Sequence, residues 1–199
     1  MKKLFLTMIS VFAFSANAAM VDFNTHSAVY WVDDIIEGDY IFSRTHQGMG
    51  VNNAALWPSD GSMHLMTWSN QGDYSGFMLT NPAETYFDIT SFDFAGAYND
   101  GRQPVTSLMV SGWRDGQTVD TLTFNAGVDF LNASAYRTVN INFSAIDALE
   151  VVAFGANNRA SFDNFDLRLV ATALPEAVGL GLFAFGLVSL GLHRRKNLH

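Results

Sequence analysis

Thr138-Val139-Asn140-Ile141-Asn142-Phe143 alternates polar and apolar residues without a break. Successive side chains of an extended chain point to opposite faces, so Val139, Ile141 and Phe143 share one face and the two asparagines share the other. Phe165, Leu167 and Leu169 alternate with Asp166 and Arg168 in the same manner, which predicts a last strand with one buried face. The same rhythm predicts further strands at 29–32, 39–43, 63–68, 76–79, 85–89, 92–98, 106–113, 119–124 and 148–154. Gly, Asn and Asp separate them, and Asp115-Gly116 suits a two-residue hairpin turn because both residues tolerate positive φ. Between residues 21 and 170 almost no apolar residues recur at helical spacing. Strands this short and this numerous imply an all-β fold, a two-sheet antiparallel β-sandwich with jelly-roll-like order, and a closed barrel is the alternative.

The chain has 199 residues, 49% of them apolar, with 17 Phe and no cysteine. That is enough for one domain with a sizeable core, held without disulfides. All three lysines, Lys2, Lys3 and Lys196, sit near the ends. Between the terminal segments, six arginines face 18 acidic residues, a net charge of −12. A basic nucleic-acid footprint is thereby excluded, and carboxylates are left available to divalent cations.

The two ends read as addresses. Lys2-Lys3, an apolar run from Leu4 to Phe14 and the small residues Ala16-Asn17-Ala18 make the three parts of a secretory signal, with cleavage expected after Ala18 by the peptidase that follows the Sec translocon. At the other end, Leu174-Pro175-Glu176-Ala177 leads into an apolar stretch from Ala177 to Leu192, closed by His193-Arg194-Arg195-Lys196. Sixteen helical residues reach about 24 Å, short of the roughly 30 Å hydrocarbon core, so the stretch is a marginal span that the basic end would hold on the cytoplasmic side. The expected organisation is a signal peptide at 1–18, a β-sandwich at 19–172 and a tail with a short hydrophobic helix at 173–199.

Motif, Gly- and Leu-rich helix and terminal arginine cluster, in that order, resemble the PEP-CTERM sorting signal handled by exosortases, with Ala177 standing where the family carries a second Pro. The resemblance implies removal of the tail near Pro175-Glu176 by an exosortase-like enzyme, after a transient stay in the inner membrane, and transfer of the domain to the outer surface or extracellular matrix. A sortase signal would need Thr-Gly after Leu-Pro-x, and Ala177-Val178 stand there instead. The domain between the ends, with its closing Phe162-Asp163-Asn164-Phe165, resembles the jelly-roll cargo of PEP-CTERM proteins, which is similar to carbohydrate-binding modules. That likeness implies an exopolysaccharide partner as one alternative to a purely structural surface protein, and a permanently membrane-anchored structural protein is the other.

In such modules a carboxylate at the start of the final strand joins acidic groups near the N-terminus around a structural Ca²⁺. Here the resemblance assigns that role to Asp163, with Asp22 and Glu37 as partners among Asp22, Asp33, Asp34, Glu37 and Asp39, and hard oxygen ligands suit Ca²⁺. Solvated strand edges and turn formers account for the same carboxylates equally well. Trp31, Trp57, Trp68, Trp113, Tyr74 and Tyr98 have flat faces that match the apolar face of a sugar ring, although most large aromatics in a sandwich pack its core. Trp57, in Trp57-Pro58-Ser59-Asp60-Gly61, is the one expected on a loop and is the candidate ligand contact. Catalysis finds no motif. His26, His46 and His64 lack zinc spacing, His46 and His64 can meet only across strands, and Gly-x-Ser-x-Gly is absent. Paired carboxylates such as Asp93 with Glu150 would make a glycosidase couple only at the right separation, which nothing in the sequence sets. The reading is a non-enzymatic exported protein.

Overall fold

The computed structural model of the chain describes residues 18–53, 62–70, 72–83, 85–96, 105–125 and 136–170. Among them are β1 (Ala18–Val21), β2 (Val29–Tyr30), β3 (Asp34–Glu37), β4 (Tyr40–His46), β5 (Gly48–Asn52), β6 (His64–Trp68) and β7 (Tyr74–Thr80). The second half adds β8 (Phe87–Ala95), β9 (Ser107–Arg114), β10 (Gln117–Asn125), β11 (Arg137–Ile146), β12 (Ala148–Phe154) and β13 (Arg159–Leu169), and no helix occurs among the described residues. Two sheets result, and all their pairings are antiparallel. One has the order β11-β8-β13-β6-β5-β2, with β1 against the far half of β13; the other has the order β10-β9-β12-β7-β4-β3. The connections β2–β3, β4–β5, β6–β7 and β12–β13 all pass from one sheet to the other at the same end of the sandwich. That repeated exchange makes the order jelly-roll-like.

The alternation in β11 holds as expected: Val139, Ile141 and Phe143 are buried while Asn140 and Asn142 are exposed. Asp115-Gly116 turns β9 into β10 with both φ positive, at 52° and 74°. Between the sheets lies an aromatic core. Phe23, Phe42, Phe77, Phe92, Phe162 and Phe165 are all fully buried. Their rings meet mostly edge to face, with Phe42–Phe165 centroids at 5.2 Å and Phe77–Phe162 at 5.1 Å, the arrangement that ring quadrupoles favour.

Three differences from the sequence expectation follow from tertiary packing. The two stretches expected at 85–89 and 92–98 meet in one strand, β8 (Phe87–Ala95), through an irregularity between Ile89 and Ser91 where the pairing with β13 shifts register, and residues 97–98 lie outside the described residues. Strand β5, Gly48-Met49-Gly50-Val51-Asn52, has glycines that read as breakers, yet it pairs along its whole length with β6. Finally, Asp163 does not stand at the start of the last strand. It lies inside β13, which begins at Arg159, and the next residue, Asn164, takes a φ of 51° at a bulge.

Candidate functional site

Sheet-switching at one end of the sandwich gathers aromatic side chains there. Strand β4 closes on His46 and β5 opens on Gly48, with only Gln47 between them; β6 closes on Trp68, β7 opens on Tyr74, and β12 closes on Phe154. Trp31 follows β2 at the same end, where Val32 N–H donates to Met49 O at 3.1 Å.

In β6, Leu65 and Thr67 face the core, so His64, Met66 and Trp68 occupy the outer face of the seven-stranded sheet. The Trp68 indole lies across Gly48: a Cβ on that glycine would stand 2.0 Å from Trp68 Cε2. A glycine in mid-sheet here is a packing requirement, because only a residue without a side chain lets the ring settle onto the strand. On this ring rests Trp31, edge-on at 4.9 Å between centroids and 85° between planes, and Tyr30 meets Trp68 edge-on at 6.4 Å and 63°. Trp68 is only 5% exposed, whereas Trp31 is 60% and Tyr30 50% exposed. The outer pair therefore stands on a buried support.

Trp31 also has a φ of 60°. For a bulky residue this left-handed conformation is a real outlier, costing on the order of 1–3 kcal/mol, and it persists only where the surroundings hold it. Those surroundings are hydrogen-bonded. Arg44 pairs with Asp33 and donates from Nη1 to Gln47 O at 2.8 Å, while Arg44 N–H donates to Asp33 O at 2.7 Å. Beneath them, Arg159, 6% exposed, donates from Nη1 to Ser69 O and Asn158 O at 3.0 Å each and from Nη2 to Asn70 Oδ1 at 2.8 Å. The chain between β6 and β7 is thereby tied to the start of β13. Asn52 Nδ2 donates to the Tyr30 hydroxyl, and from Asn52 a polar row crosses the outer face through His64, Asp163, Asp93 and Thr138.

In that row Asp163 and Asp93 stand opposite each other on β13 and β8. Their proximity is offset by donors: Ser62 Oγ to Asp163 Oδ2 at 2.8 Å, Thr138 Oγ1 to Asp93 Oδ1 at 2.7 Å, and Asn164, whose N–H serves Asp163 at 2.9 Å while its Nδ2 serves Asp93 at 2.9 Å. Positive φ at Asn164 is what lets one residue serve both carboxylates. This arrangement is structural in character, since hydrogen-bonded carboxylates in a sheet fix register and need no ion.

The expected calcium set does not converge. Glu37 is on the six-stranded sheet, engaged by His26 Nε2 at 2.7 Å and Thr25 Oγ1 at 2.9 Å; Asp22 accepts Asn24 N–H at 3.2 Å; Asp163 is in the opposite sheet. Among the described residues no group of three or more His, Asp or Glu side chains stands at metal-ligating spacing. The glycosidase couple is likewise undone: Asp93 is on the outer face of one sheet and Glu150, flanked by the core residues Leu149 and Val151, is on the outer face of the other. His46 and His64 belong to different sheets and do not meet. Trp113, expected to pack, is on the outer face of β9 and half-buried. Trp57, Tyr98, Ala16 and the tail residues Leu174, Pro175, Glu176, Ala177, Arg194, Arg195 and Lys196 lie outside the described residues. Ala18 pairs with Arg168 in β1, so cleavage behind it would leave Ala19–Val21 on the sheet. Among the described residues no helix is long and apolar enough to cross a membrane.

Sequence reasoning singled out Trp31 and Trp68 but missed Tyr30, Gly48 and Asn52. The available signal was the alternation in β5, where glycine at 48 and 50 opposes Met49 and Val51. That pattern marks a strand with one face left open to a close neighbour.

No protein-family model matches the chain, and no curated protein sequence matches it significantly. Among solved structures, the sandwich is similar to the CBM22-1 xylan-binding domain from Paenibacillus barcinonensis Xyn10C, at 13% identity over 81% of this chain and 99% of that one, with a TM-score of 0.44. It is also similar to the family 11 carbohydrate-binding module from Clostridium thermocellum, in complex with a β-1,3-1,4-mixed-linked tetrasaccharide, at 13% identity over 81% and 100% of the two chains and a TM-score of 0.38. A third likeness is to the enzymatically active domain of Bacteriophage CBA120 tailspike protein 4, at 12% identity, 67% coverage and a TM-score of 0.41; the match spans only 20% of that chain's length.

Proposed function

We propose that the chain is an exported, non-catalytic glycan-binding module, in which Trp31 and Tyr30 form the sugar-stacking surface at one end of the sandwich. The observation that carries this reading is Trp31 itself, 60% exposed, held at a φ of 60° and braced edge-on by Trp68. Exposing a large apolar ring and straining its backbone both work against stability, and such features persist where a ligand uses them. A flat indole with its edge fixed by a second ring is preorganised for the apolar face of a pyranose, so little freedom is lost on binding. The Tyr30 hydroxyl, the Asn52 amide that donates to it and the Asp33–Arg44 pair supply polar groups around the ring for sugar hydroxyls.

Delivery belongs to the same proposal. The leader at 1–18 would take the chain through the Sec translocon, and the PEP-CTERM-like tail would pass it through the inner membrane to an exosortase-like enzyme and so to the surface or matrix.

Affinity electrophoresis in gels containing xylan, galactan, mixed-linked β-glucan or the native host's exopolysaccharide tests the binding. Retardation by at least one neutral glycan, lost in Trp31→Ala while the thermal unfolding midpoint stays within a few degrees, is the expected outcome. Equal retardation of wild type and Trp31→Ala would overturn it. Intact mass of the protein from the host's envelope and medium tests the delivery: a species beginning at Ala19 and ending near Pro175 is expected, and one that keeps Arg194, Arg195 and Lys196 would dismiss the sorting reading.

A further inference from the structure

We propose that the same end of the sandwich carries a second stacking station on its opposite outer face, built on Tyr74, so that one molecule holds two uncharged polysaccharide chains and links them; the inference rests on the glycan reading of Trp31. Tyr74 opens β7 and is 43% exposed. Its neighbour Ser75 points between the sheets, bonding Thr67 Oγ1 at 2.9 Å, and Phe77 is in the core, so Tyr74 and Gly76 face outward from the six-stranded sheet. Its ring is fixed from two sides. His46 meets it edge-on at 4.5 Å and 80°, and Phe154 leans on it at 6.1 Å and 51°. His46 Nδ1 is 3.0 Å from Thr45 Oγ1, which orients the imidazole. Gly76, paired with His46, admits no side chain, because a Cβ there would stand 2.4 Å from Val151 O. Gly76 is buried beside the ring, with Thr45 Oγ1 3.2 Å from the position a Cβ would take.

Trp31 and Trp68 belong to the outer side of the other sheet, and packed sheets stand about 10 Å apart. The supports of the two rings, Trp68 and β7, thus lie on opposite outer faces at least that far apart, and each ring takes its own chain. The ligand class follows from charge. The chain carries a net −8, Asp33, Asp34 and Asp73 lie beside the stations, and two described arginines next to them are engaged, Arg44 with Asp33 and Gln47 O, Arg159 with Ser69 O and Asn70. Polyuronates and sulfated chains would be repelled, while neutral chains would not.

Calorimetry with xylohexaose, galactohexaose and a mixed-linked glucan hexasaccharide, paired with viscometry of the corresponding polymers and of alginate, tests the inference on the mature domain. Two hexasaccharides per protein are expected for wild type, one for Trp31→Ala, one for Tyr74→Ala, none for the double variant and two for Tyr74→Phe, which keeps the ring. Wild type is expected to raise polymer viscosity, each alanine variant is not, and binding should change less than about twofold between 50 and 500 mM NaCl. One hexasaccharide per protein, lost in Trp31→Ala and unchanged in Tyr74→Ala, overturns the second station and leaves the glycan reading standing. Binding of alginate as tight as that of the neutral polymers overturns the ligand class. No binding to any of the three hexasaccharides, or binding indifferent to Trp31→Ala, overturns both.

Discussion

Two aromatic clusters in this molecule share a geometry and differ in everything that surrounds it. Phe23, Phe42, Phe77, Phe92, Phe162 and Phe165 meet edge to face between the sheets and are fully buried; Tyr30, Trp31 and Trp68 meet in the same manner at the sandwich end with two of three rings half or more exposed. Ring contact by itself therefore says nothing about role. In the core, ring contacts accompany full removal of apolar surface from water and contribute to stability. At the end they brace a ring that keeps its surface, and the backbone beneath is strained. Stability is the use of the first cluster and preorganisation is the use of the second.

The largest test of this contrast is Phe165→Ala. It should cost about 3–5 kcal/mol through lost transfer energy and an unfilled cavity, read as a lower urea midpoint with unchanged slope. A loss under about 1 kcal/mol would mean that the sheets close over the gap and that the core cluster is no more critical than the exposed one.

A second test uses Tyr40, whose ring packs on Phe87 at 5.7 Å. Burial, with Asp39 adding to it, pushes its phenol up to about 12 from the ordinary 10. The folded state therefore favours the protonated phenol, so this contribution is fully present below pH 10 and is lost as pH rises from 10 through 12. Denaturation at pH 9, 10, 11 and 12 should show that decline in wild type and a weaker one in Tyr40→Phe. Since the Tyr40 hydroxyl is buried without a hydrogen-bond partner, the phenylalanine should also be no less stable at neutral pH.

Gly48→Ala sharpens the comparison from the other side. The new methyl would displace the Trp68 indole, at an expected cost of about 1–3 kcal/mol, and would tilt Trp31 with it. Near-UV circular dichroism should lose Trp signal, and glycan retardation should fall even though no exposed residue changes. Retention of full binding would show that Trp31 does not depend on its support. The smallest effect is expected from Trp31→Gly, where the left-handed backbone is no longer penalised. Stability should stay within about 1 kcal/mol of wild type, or rise, while binding disappears. A large loss of stability would instead make Trp31 a packing residue.

The core face of β11 and the last half of β13 were legible in the sequence because period-two alternation is a local signal with a local cause. So was the Asp115-Gly116 hairpin, whose φ values depend on those two residues alone. The binding end was legible only in pieces. Trp31 and Trp68 are 37 residues apart, and nothing local distinguishes an exposed tryptophan from a buried one. Strand β5 was missed because its glycines are meaningful only against distant neighbours, Gly48 against the indole of Trp68 and Gly50 against the backbone of β2. The calcium set failed for the same reason: acidic residues near the N-terminus and in β13 are close in an expected topology, but the sheets hold Glu37 and Asp163 apart.

Composition and alternation determined the class: an acidic, cysteine-free, all-β sandwich between two address-like ends. Tertiary structure decided which aromatic rings meet, which face water and which carboxylates are kept apart. The physical reason is that period and turn chemistry act within a few residues, whereas burial and ring contacts depend on which strands cross from one sheet to the other, and that crossing brings together residues no sequence window contains.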